Sequence, residues 1–292
     1  MNIAKLRLFD ALDGGDHFWS SQIREHGADE VLEKILRRRY ENSTRSAARQ
    51  LARLEARNET ELIKEIDRSG GRFITAEDDE WPHLLNDLIA PPLGLIVKGE
   101  KISCNAIGIV GTRNPTSYGA RIASDFAAGF SDRGLVIISG GAYGIDSHAH
   151  RGALSAEGKT YAVLASGISV NYPAGNERLF AEIAENGALI SEVMPIERAR
   201  PERFLTRNRL IAALSRATIV VEAAFRSGSL RTAREAAELL RTVLAVPGPI
   251  TSPTSDGSHR LIGERTAEIV TSVSDAMELI DQTPCTLCGD DT

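Results

Sequence analysis

The stretch Leu135-Val136-Ile137-Ile138-Ser139-Gly140-Gly141 has the pattern of a buried strand followed by a glycine turn that leads into a helix. The apolar run predicts a strand over 135–138, and the apolar spacing typical of a helix begins again at 145–154. The glycines allow a tight turn with bare backbone N–H groups in front of the helix, and such groups bind phosphate. The stretch therefore predicts an α/β fold with an anion site where the strand ends.

The same alternation continues on both sides of this stretch, from about residue 104 onward. Apolar runs predict further strands at 106–110, 161–165, 188–190, 218–221 and 243–246, and helical patterns lie between them at 118–132, 177–185, 204–215 and 230–240. Short, nearly all-apolar strands that alternate with helices are typical of a buried parallel sheet. We therefore predict an open, mostly parallel α/β sheet with helices on both faces. Ligands of such sheets bind at the carboxyl ends of the strands.

The beginning of the chain has a different character. Residues 1–66 are charged and rich in helix formers, and helical spacing of Leu, Ile and Ala runs over 29–40 and 46–66. Ser69-Gly70-Gly71 predicts the end of this region. We expect a small helical domain at 1–66, an α/β core at 67–281 and a mobile tail at 282–292.

The charge of the chain is unevenly distributed. The 292 residues carry a net charge of −6, so no global basic field attracts nucleic acid. Segment 198–241 nevertheless holds ten arginines against four acids (Glu202, Glu222, Glu235 and Glu238), a local difference of +6. This asymmetry indicates a local site for an anion rather than a generally basic surface.

Much of that charge stands at the start of one predicted helix. Arg203, Phe204, Arg207, Asn208 and Arg209 lie there, in front of an apolar stripe. Cations at a helix N-terminus add to the positive end of the helix dipole and suit a phosphate-rich ligand. An aromatic ring among cations is the combination that holds a nucleic-acid backbone and stacks a base. The alternative interpretation is a solvated basic face.

Two more loops of the predicted carboxyl edge suit an anion. Gly111-Thr112-Arg113 follows the first strand, and Ser227-Gly228-Ser229 follows the fifth, between Arg226 and Arg231. Neither loop is a GxGxxG fingerprint or a P-loop. The turns at 139–141 and 227–229 together predict two Gly/Ser phosphate cradles that face one crevice. The alternative is that their glycines serve only tight turns.

The spacing does not predict a catalytic or metal site. His148 and His150 are two apart in a predicted helix and do not share a face, so we expect Asp146 to cap that helix and one histidine to pack. Cys285 and Cys288 are half a zinc site, which a dimer could complete, although a mobile tail is the favoured interpretation. Three cysteines, the absence of about 20 consecutive apolar residues and the lack of a signal-peptide core predict a reduced, cytoplasmic protein.

From about residue 70 to about residue 280 the chain resembles the DNA-processing protein A (DprA/Smf) family. The resemblance depends on motifs that occur in the same order: Ile74-Thr75 with Asp79 and Trp81-Pro82; Asp87-Leu88 with Pro91-Pro92-Leu93; Gly111-Thr112-Arg113 with Tyr118-Gly119; Ser139-Gly140-Gly141-Ala142 with Gly144-Ile145-Asp146 and His150; Tyr172-Pro173 with Asn176; Phe204 with Arg207-Asn208-Arg209-Leu210-Ile211-Ala212; Ser227-Gly228-Ser229-Leu230 with Thr232-Ala233; and Val246-Pro247-Gly248.

The resemblance implies an extended Rossmann-like domain that binds single-stranded DNA and forms a homodimer. It implies a protein that protects incoming strands in natural transformation and helps to load the RecA recombinase, without enzymatic activity or a cofactor. Carried over by motif, Arg113 and the Ser139-Gly140-Gly141 turn would hold phosphates, and Phe204 would lie near a base. Arg207 and Arg209 would supply charge, and Asn208 would bond a phosphate or a base edge. Arg203 and the Ser227-Gly228-Ser229 turn are site candidates from the charge and the turn pattern described above.

Three features depart from the family pattern. Ser169 stands where an Asp usually follows the third strand, and Leu240 stands where a Gly commonly precedes the sixth. Too few residues follow about 281 for the C-terminal winged-helix domain that many members carry. Residues 1–66 match only loosely, as a helical (SAM/HhH-like) domain of the kind that often precedes the core.

Other functions remain open at this point. Nucleotide-hydrolysing phosphoribohydrolases share the fold type, and Thr232-Ala233-Arg234-Glu235 keeps the Thr-x-x-Glu spacing of their catalytic loop without its glycines. A nucleotide sensor or protein-interaction module could use the same crevice. For a dimer contact, 239–246 and 258–270 are the candidate segments, whereas the surface that meets RecA and the role of the helical domain are not predicted.

Overall fold

The computed structural model describes residues 2–40 and 47–282. Its helices are α1 (Ile3–Ala11), α2 (His17–His26), α3 (Ala28–Leu36), α4 (Ala47–Ala56), α5 (Glu59–Ser69), α6 (Ser117–Ser131), α7 (Ile145–Ser155), α8 (Glu177–Asn186), α9 (Pro201–Leu214), α10 (Gly228–Glu238), α11 (Asp256–Gly263) and α12 (Val273–Asp281). Its strands are β1 (Arg72–Ile74), β2 (Leu95–Gly99), β3 (Ala106–Val110), β4 (Val136–Ser139), β5 (Thr160–Leu164), β6 (Ala188–Ser191), β7 (Ala217–Val220), β8 (Thr242–Ala245) and β9 (Glu268–Ile269).

The strands form one sheet in the order β1-β2-β6-β5-β4-β3-β7-β8-β9. All neighbours from β6 to β9 are parallel, and only β1 with β2 and β2 with β6 are antiparallel. The predicted open, mostly parallel sheet is therefore confirmed. The antiparallel edge was not predicted, because β1 and β2 precede the regular alternation of strands and helices.

The direction in which strands are added reverses at β3. From β3 the chain adds β4, β5 and β6 on one side, and then returns to place β7 on the other side of β3. The loops after β3 and β7 consequently separate at the carboxyl edge and leave a crevice between them. The reversal places Gly111-Thr112-Arg113 and Ser227-Gly228-Ser229 in the loops that follow two neighbouring strands, although they are far apart in the sequence.

Helices cover both faces of the sheet, as predicted. On one face Leu210 and Ile211 of α9 and Leu230 of α10 pack against β3, β5, β7 and β8. On the other face α6, α7 and α12 bury Phe126, Phe130 and neighbouring apolar side chains. Burial of an apolar side chain of this size contributes about 1.5–3 kcal/mol, so the two layers hold the loops of the carboxyl edge on a rigid base.

The N-terminal helices share a core with the sheet. Leu6 and Phe9 of α1 and Leu62 and Ile66 of α5 pack with Ile96 of β2 and its neighbours, while the other face of α1 packs within the helical region. The predicted helical stretch 46–66 is two helices, because Asn58 forms a capping box with Glu61 and starts α5. The division of the chain at residue 66 stays a prediction.

The predictions about a membrane span and about the C-terminal cysteines can be compared with the structure only over the described residues. Within residues 2–40 and 47–282, no helix is both long enough and apolar enough to cross a bilayer. Cys285 and Cys288, the candidate half of a zinc site, lie outside the described residues. Their predicted roles stay predictions.

Candidate nucleic-acid interface

A crevice of about 460 Å³ lies at the carboxyl edge where the strand order reverses. The loops after β3, β4 and β7 and the first turns of α9 and α10 enclose it. Seven of the predicted site residues line this crevice: Arg113, Phe204, Arg207, Asn208, Ser227, Gly228 and Ser229. The fold therefore brings together the motifs after the first and fifth predicted strands with the arginine-rich helix.

Glu222 fixes the loops around the crevice. Its carboxylate is buried after β7 and accepts hydrogen bonds from the N–H (2.9 Å) and hydroxyl (2.6 Å) of Thr116 and from the hydroxyl of Thr254 (3.2 Å). A Cβ on Gly119 would lie 2.2 Å from the Glu222 Oε2, which explains the glycine. This role of Glu222 in fixing the loops was not predicted from the sequence. The sequence feature that indicates it is an acid directly after a buried strand, in a loop that otherwise holds small residues.

Arg113 and Phe204 form the mouth of the crevice. Arg113 is exposed, and its guanidinium carbon lies 5.3 Å from the centre of the Phe204 ring. Tyr172, which the sequence analysis did not select, meets the same ring at 5.5 Å and 62° and is itself half exposed. A cation and two partly open rings offer a phosphate contact beside a surface on which a base can stack.

Arg207 lies deeper and is only 7% exposed. Its Nη1 donates to the carbonyl of Val163 (2.6 Å), whereas its Nε has no hydrogen-bond partner among the described residues. Burial lowers the pKa of Arg207 to about 10, a shift that Asp146 opposes and Arg113 increases. At neutral pH the side chain is therefore a buried cation with unused donors. Such a group is costly unless an anion joins it.

The N-terminus of α10 faces the crevice opposite Arg207. Ser227 caps this helix by accepting from the Ser229 N–H (3.3 Å), and the amide of Asn208 donates to the carbonyl of Gly228 (3.3 Å). No atom lies within 4 Å of the point where a Gly228 Cβ would stand. The first N–H groups of a helix lack partners inside the helix and carry the positive end of its dipole. This end of α10 is suited to an anion.

The other predicted cradle, Ser139-Gly140-Gly141, has a different role. The N–H groups of Gly140 and Ala142 already donate to Oδ2 of Asp146, at 3.1 and 3.3 Å. The Ser139 hydroxyl is buried and donates to the carbonyl of Ile109 (2.6 Å). The crevice therefore has one open Gly/Ser cradle rather than two, because the chain supplies its own carboxylate to this turn.

The two glycines of this turn have packing roles. A Cβ on Gly140 would lie 1.8 Å from Nη1 of Arg207, so the glycine makes room for the guanidinium. Gly141 has φ +67° and packs against Phe180. Asp146 does not cap α7, whose N-cap is Gly144 without a side-chain bond. His150 packs as one of the two histidines was predicted to do, with Nδ1 2.7 Å from the Thr160 hydroxyl.

Arg203 and Arg209 support the fold instead of lining the crevice. Arg203 pairs with Glu197 (2.7 Å) and donates to the carbonyl of Arg198 (2.8 Å). Arg209 pairs with Glu192 and donates to the carbonyl of Ala90 (2.9 Å). Both side chains are nearly buried in these contacts. The sequence predicts Arg203 and Arg209 as site residues together with Arg207, because it does not show which side of α9 contacts acids from other segments.

The local charge difference of +6 in segment 198–241 is largely neutralised by ion pairs in the fold. Most of its arginines form ion pairs, several of them with acids outside the segment: Glu192, Glu197, Glu264, Asp87 and Asp281. Within the described part of the chain, Arg207 and Arg226 line the crevice without an ion pair, and Arg113 joins them from the loop after β3. The lining of the crevice thus holds three arginines, Arg113, Arg207 and Arg226, and one carboxylate, that of Asp146.

No group of three or more potential metal ligands occurs within residues 2–40 and 47–282. Ser169, which stands in place of the family Asp, is exposed, and its N–H donates to the carbonyl of Pro195 (3.0 Å). Leu240 adopts a left-handed conformation with φ +57°, as the glycine of the family pattern could do without strain.

Comparison with known proteins gives relatives with the same fold. The model of the DNA recombination-mediator protein A family matches residues 72–281. A putative DNA processing protein DprA of Mycobacterium tuberculosis H37Rv is 44% identical over 244 residues, which are 78% of this chain and 62% of the relative. DNA processing protein DprA of Bacillus subtilis is 37% identical over 72% of this chain and 71% of the relative. The chain thus spans less than two thirds of the length of its mycobacterial relative.

Two solved structures are similar. DNA processing protein A of Streptococcus pneumoniae has a TM-score of 0.80 and 33% identity, covering 95% of this chain and 98% of the other. DNA processing protein A of Helicobacter pylori, described in its single-stranded DNA binding mode, has a TM-score of 0.66 and 29% identity, covering 73% and 98%. On the family match, the sequence identities and the shared fold, this chain belongs to the DNA recombination-mediator protein A family.

Proposed function

We propose that this protein binds single-stranded DNA in the crevice, with a phosphate held between Arg207 and the N-terminus of α10. The observation that carries the proposal is the buried Arg207, whose Nε lacks a partner and which lines a cavity of about 460 Å³. A phosphodiester would add a second anion to the guanidinium, beside the carboxylate of Asp146. Arg113 would hold a neighbouring phosphate, and Phe204 at the mouth would stack a base.

The same proposal extends to the biological role. As a member of its family, the protein would protect incoming single strands in natural transformation and help to load RecA, in the cytoplasm, as a homodimer and without catalysing a reaction itself. Loading would be measured as faster RecA filament formation on strands precoated with single-strand-binding protein. The sedimentation coefficient would report the dimer, with substitutions in 239–246 and 258–270 as its tests.

DNA binding is tested by fluorescence anisotropy with a labelled strand of about 30 nucleotides, longer than one module covers, and with its duplex. The single strand should bind more tightly, and its affinity should fall with salt because bound phosphates release counterions. Arg113→Ala should lower the salt slope by about one, and Phe204→Ala should weaken binding about tenfold. Arg121→Ala, on the exposed side of α6, is the matched control and should bind as wild type.

Equal affinity for duplex, or no binding at low salt, would overturn the proposal and leave a nucleotide as the alternative ligand. Hydrolysis is not the favoured reaction of such a ligand, because the carboxylate of Glu235 bonds Arg231 (2.8 Å) and Glu235 is not among the residues of the crevice. Release of free base from a nucleoside monophosphate, abolished by Glu235→Gln, would reverse that conclusion.

A further inference from the structure

The two ends of the crevice differ in charge. Arg207 also lines a second cavity of about 290 Å³ between the sheet and the N-terminal helices. That cavity is bordered by four carboxylates (Asp13, Asp16, Glu192 and Glu202) and by Arg203 as the other cation. Asp13 pairs with Arg49 and Arg53, Glu192 pairs with Arg209, and Arg203 pairs with Glu197, so among the described residues Arg207 is the one cation of this lining without an ion pair. A strand seated on Arg207 is therefore favoured on the side that holds further cations without ion pairs.

The side formed by the loop after β7 and by α11 has the opposite character. Arg226 is exposed and has no ion pair within the described part of the chain. Arg234 and Arg260 share a single carboxylate, that of Glu264, so this pair of cations keeps a net positive charge. A phosphate backbone is attracted to this side of the crevice.

An aromatic ring stands on the same side. Phe225 is 52% exposed and lies between Ala224 and Arg226, which both line the crevice. The guanidinium carbon of Arg260 is 4.5 Å from the centre of the ring. The arrangement repeats the one at the mouth, where Arg113 lies over Phe204, and ring plus cation is the pattern that stacks a base and contacts its phosphate.

We propose that Phe225 and Arg260, next to Arg226 at the edge of the crevice, form a second base-stacking site just outside it, over which the DNA strand leaves. The proposal rests on the proposed function, because it needs a strand in the crevice. It adds the direction of the strand: from Phe204 across the N-terminus of α10 to Phe225, away from the acidic cavity.

Strand length separates the two sites. A strand of about three thymidylates fills the crevice alone, whereas one of about twelve also reaches Phe225. Phe225→Ala should weaken binding of the long strand about tenfold and leave competition by the short strand unchanged. Arg260→Ala, which removes the cation over Phe225, should lower the salt slope of the long strand by about one and leave that of the short strand unchanged. Ile89→Ala, which removes another exposed apolar side chain, should change neither.

A direct readout comes from Phe225→Trp. The chain has two tryptophans, Trp19 and Trp81, and both are buried, so the new side chain would be the exposed emitter. Saturating long strand should quench the added emission, and the short strand should not. Binding by anisotropy without quenching, or an equal effect of Phe225→Ala on both strands, would overturn the second site alone. Absence of binding to either strand in wild type would overturn the proposed function with it.

Discussion

The two Gly/Ser turns at the carboxyl edge look alike in the sequence and differ in the fold. In the turn 139–141 the N–H groups of Gly140 and Ala142 are bonded to Asp146, whereas the turn 227–229 opens α10 toward the crevice. The difference is the acceptor that the chain supplies. A carboxylate six residues downstream accepts from the first turn, whereas in the second turn the Ser227 hydroxyl accepts from the Ser229 N–H and, under the proposed function, a phosphate would supply the anion. A glycine turn in front of a helix is thus an anion site only when the chain has not filled it.

The largest expected difference between the two turns is a pH dependence of stability that comes from α7, the helix after the turn 139–141. Burial, together with the nearby charges of Arg207 and Arg151, lowers the pKa of His150 to about 3. Because this pKa lies below that of the unfolded chain, His150 favours the folded state above pH 6.5 and loses that contribution as the pH falls toward 3. The loss is about 5 kcal/mol at most. Urea unfolding of wild type and His150→Gln over this range measures it.

The variant should show the shallower pH dependence, whatever its stability at pH 7. Parallel curves for the two proteins would mean that His150 takes up its proton without unfolding, which contradicts the dry environment that its burial indicates. The helix after the second turn offers the contrast, since α10 carries no histidine.

Removing the internal anion should disrupt the first turn. Asp146→Ala leaves the buried N–H of Gly140 and the partly buried N–H of Ala142 without an acceptor, and Arg207 without its nearby carboxylate, so we expect a loss of about 3 kcal/mol in the free energy of unfolding. Chemical denaturation measures the loss. A variant as stable as wild type would show that water replaces the carboxylate and that the two turns do not differ as described.

Glycine substitutions sharpen the contrast. Gly141→Ala places a Cβ at φ +67°, 2.6 Å from the Phe180 ring, and should destabilise the fold by about 2 kcal/mol. Gly228→Ala meets no atom within 4 Å and should leave the free energy of unfolding unchanged, while its methyl group crowds a bound phosphate and lowers DNA affinity. Thermal unfolding and anisotropy on the same pair of variants test both halves. The reverse pattern would interchange the roles of the turns.

The sequence predicted the positions of the strands and helices well, but it did not predict which side chains pair with one another or fill each turn. The six strands from β3 to β8 were located to within about two residues because the buried parallel strands are nearly all apolar, whereas β1 and β9 were not predicted. The crevice followed from the rule that loops meet at the carboxyl edge. Asp146 as the occupant of a turn, and Glu192 and Glu197 as partners of Arg209 and Arg203, depend on three-dimensional contacts that no local spacing encodes. The arginine cluster was therefore read as one surface, although α9 divides it between two sides.

The smallest effect concerns a turn without glycine. Leu240 has φ +57° and is 85% exposed, so it bears backbone strain without a packing gain. Leu240→Gly should raise the free energy of unfolding by about 0.5–1 kcal/mol, the relief of strain less the added chain entropy. Leu240→Ala keeps the strain and should match wild type in the midpoint of urea unfolding. A loss of stability in the glycine variant would indicate that the exposed leucine is covered by another surface.

The central claim is that Arg207 stays unpaired in order to meet a ligand. Arg207→Met keeps most of the volume, but it removes the cation beside the buried Asp146 and the donor to the carbonyl of Val163, so the free energy of unfolding should fall. Anisotropy with a single strand and urea unfolding should be run together on this variant. We expect DNA affinity of the folded variant to fall at least tenfold, the net result of losing a charge-assisted phosphate contact, while the midpoint of urea unfolding also falls. Wild-type affinity together with a lower midpoint would show that Arg207 serves the fold and that the DNA lies elsewhere.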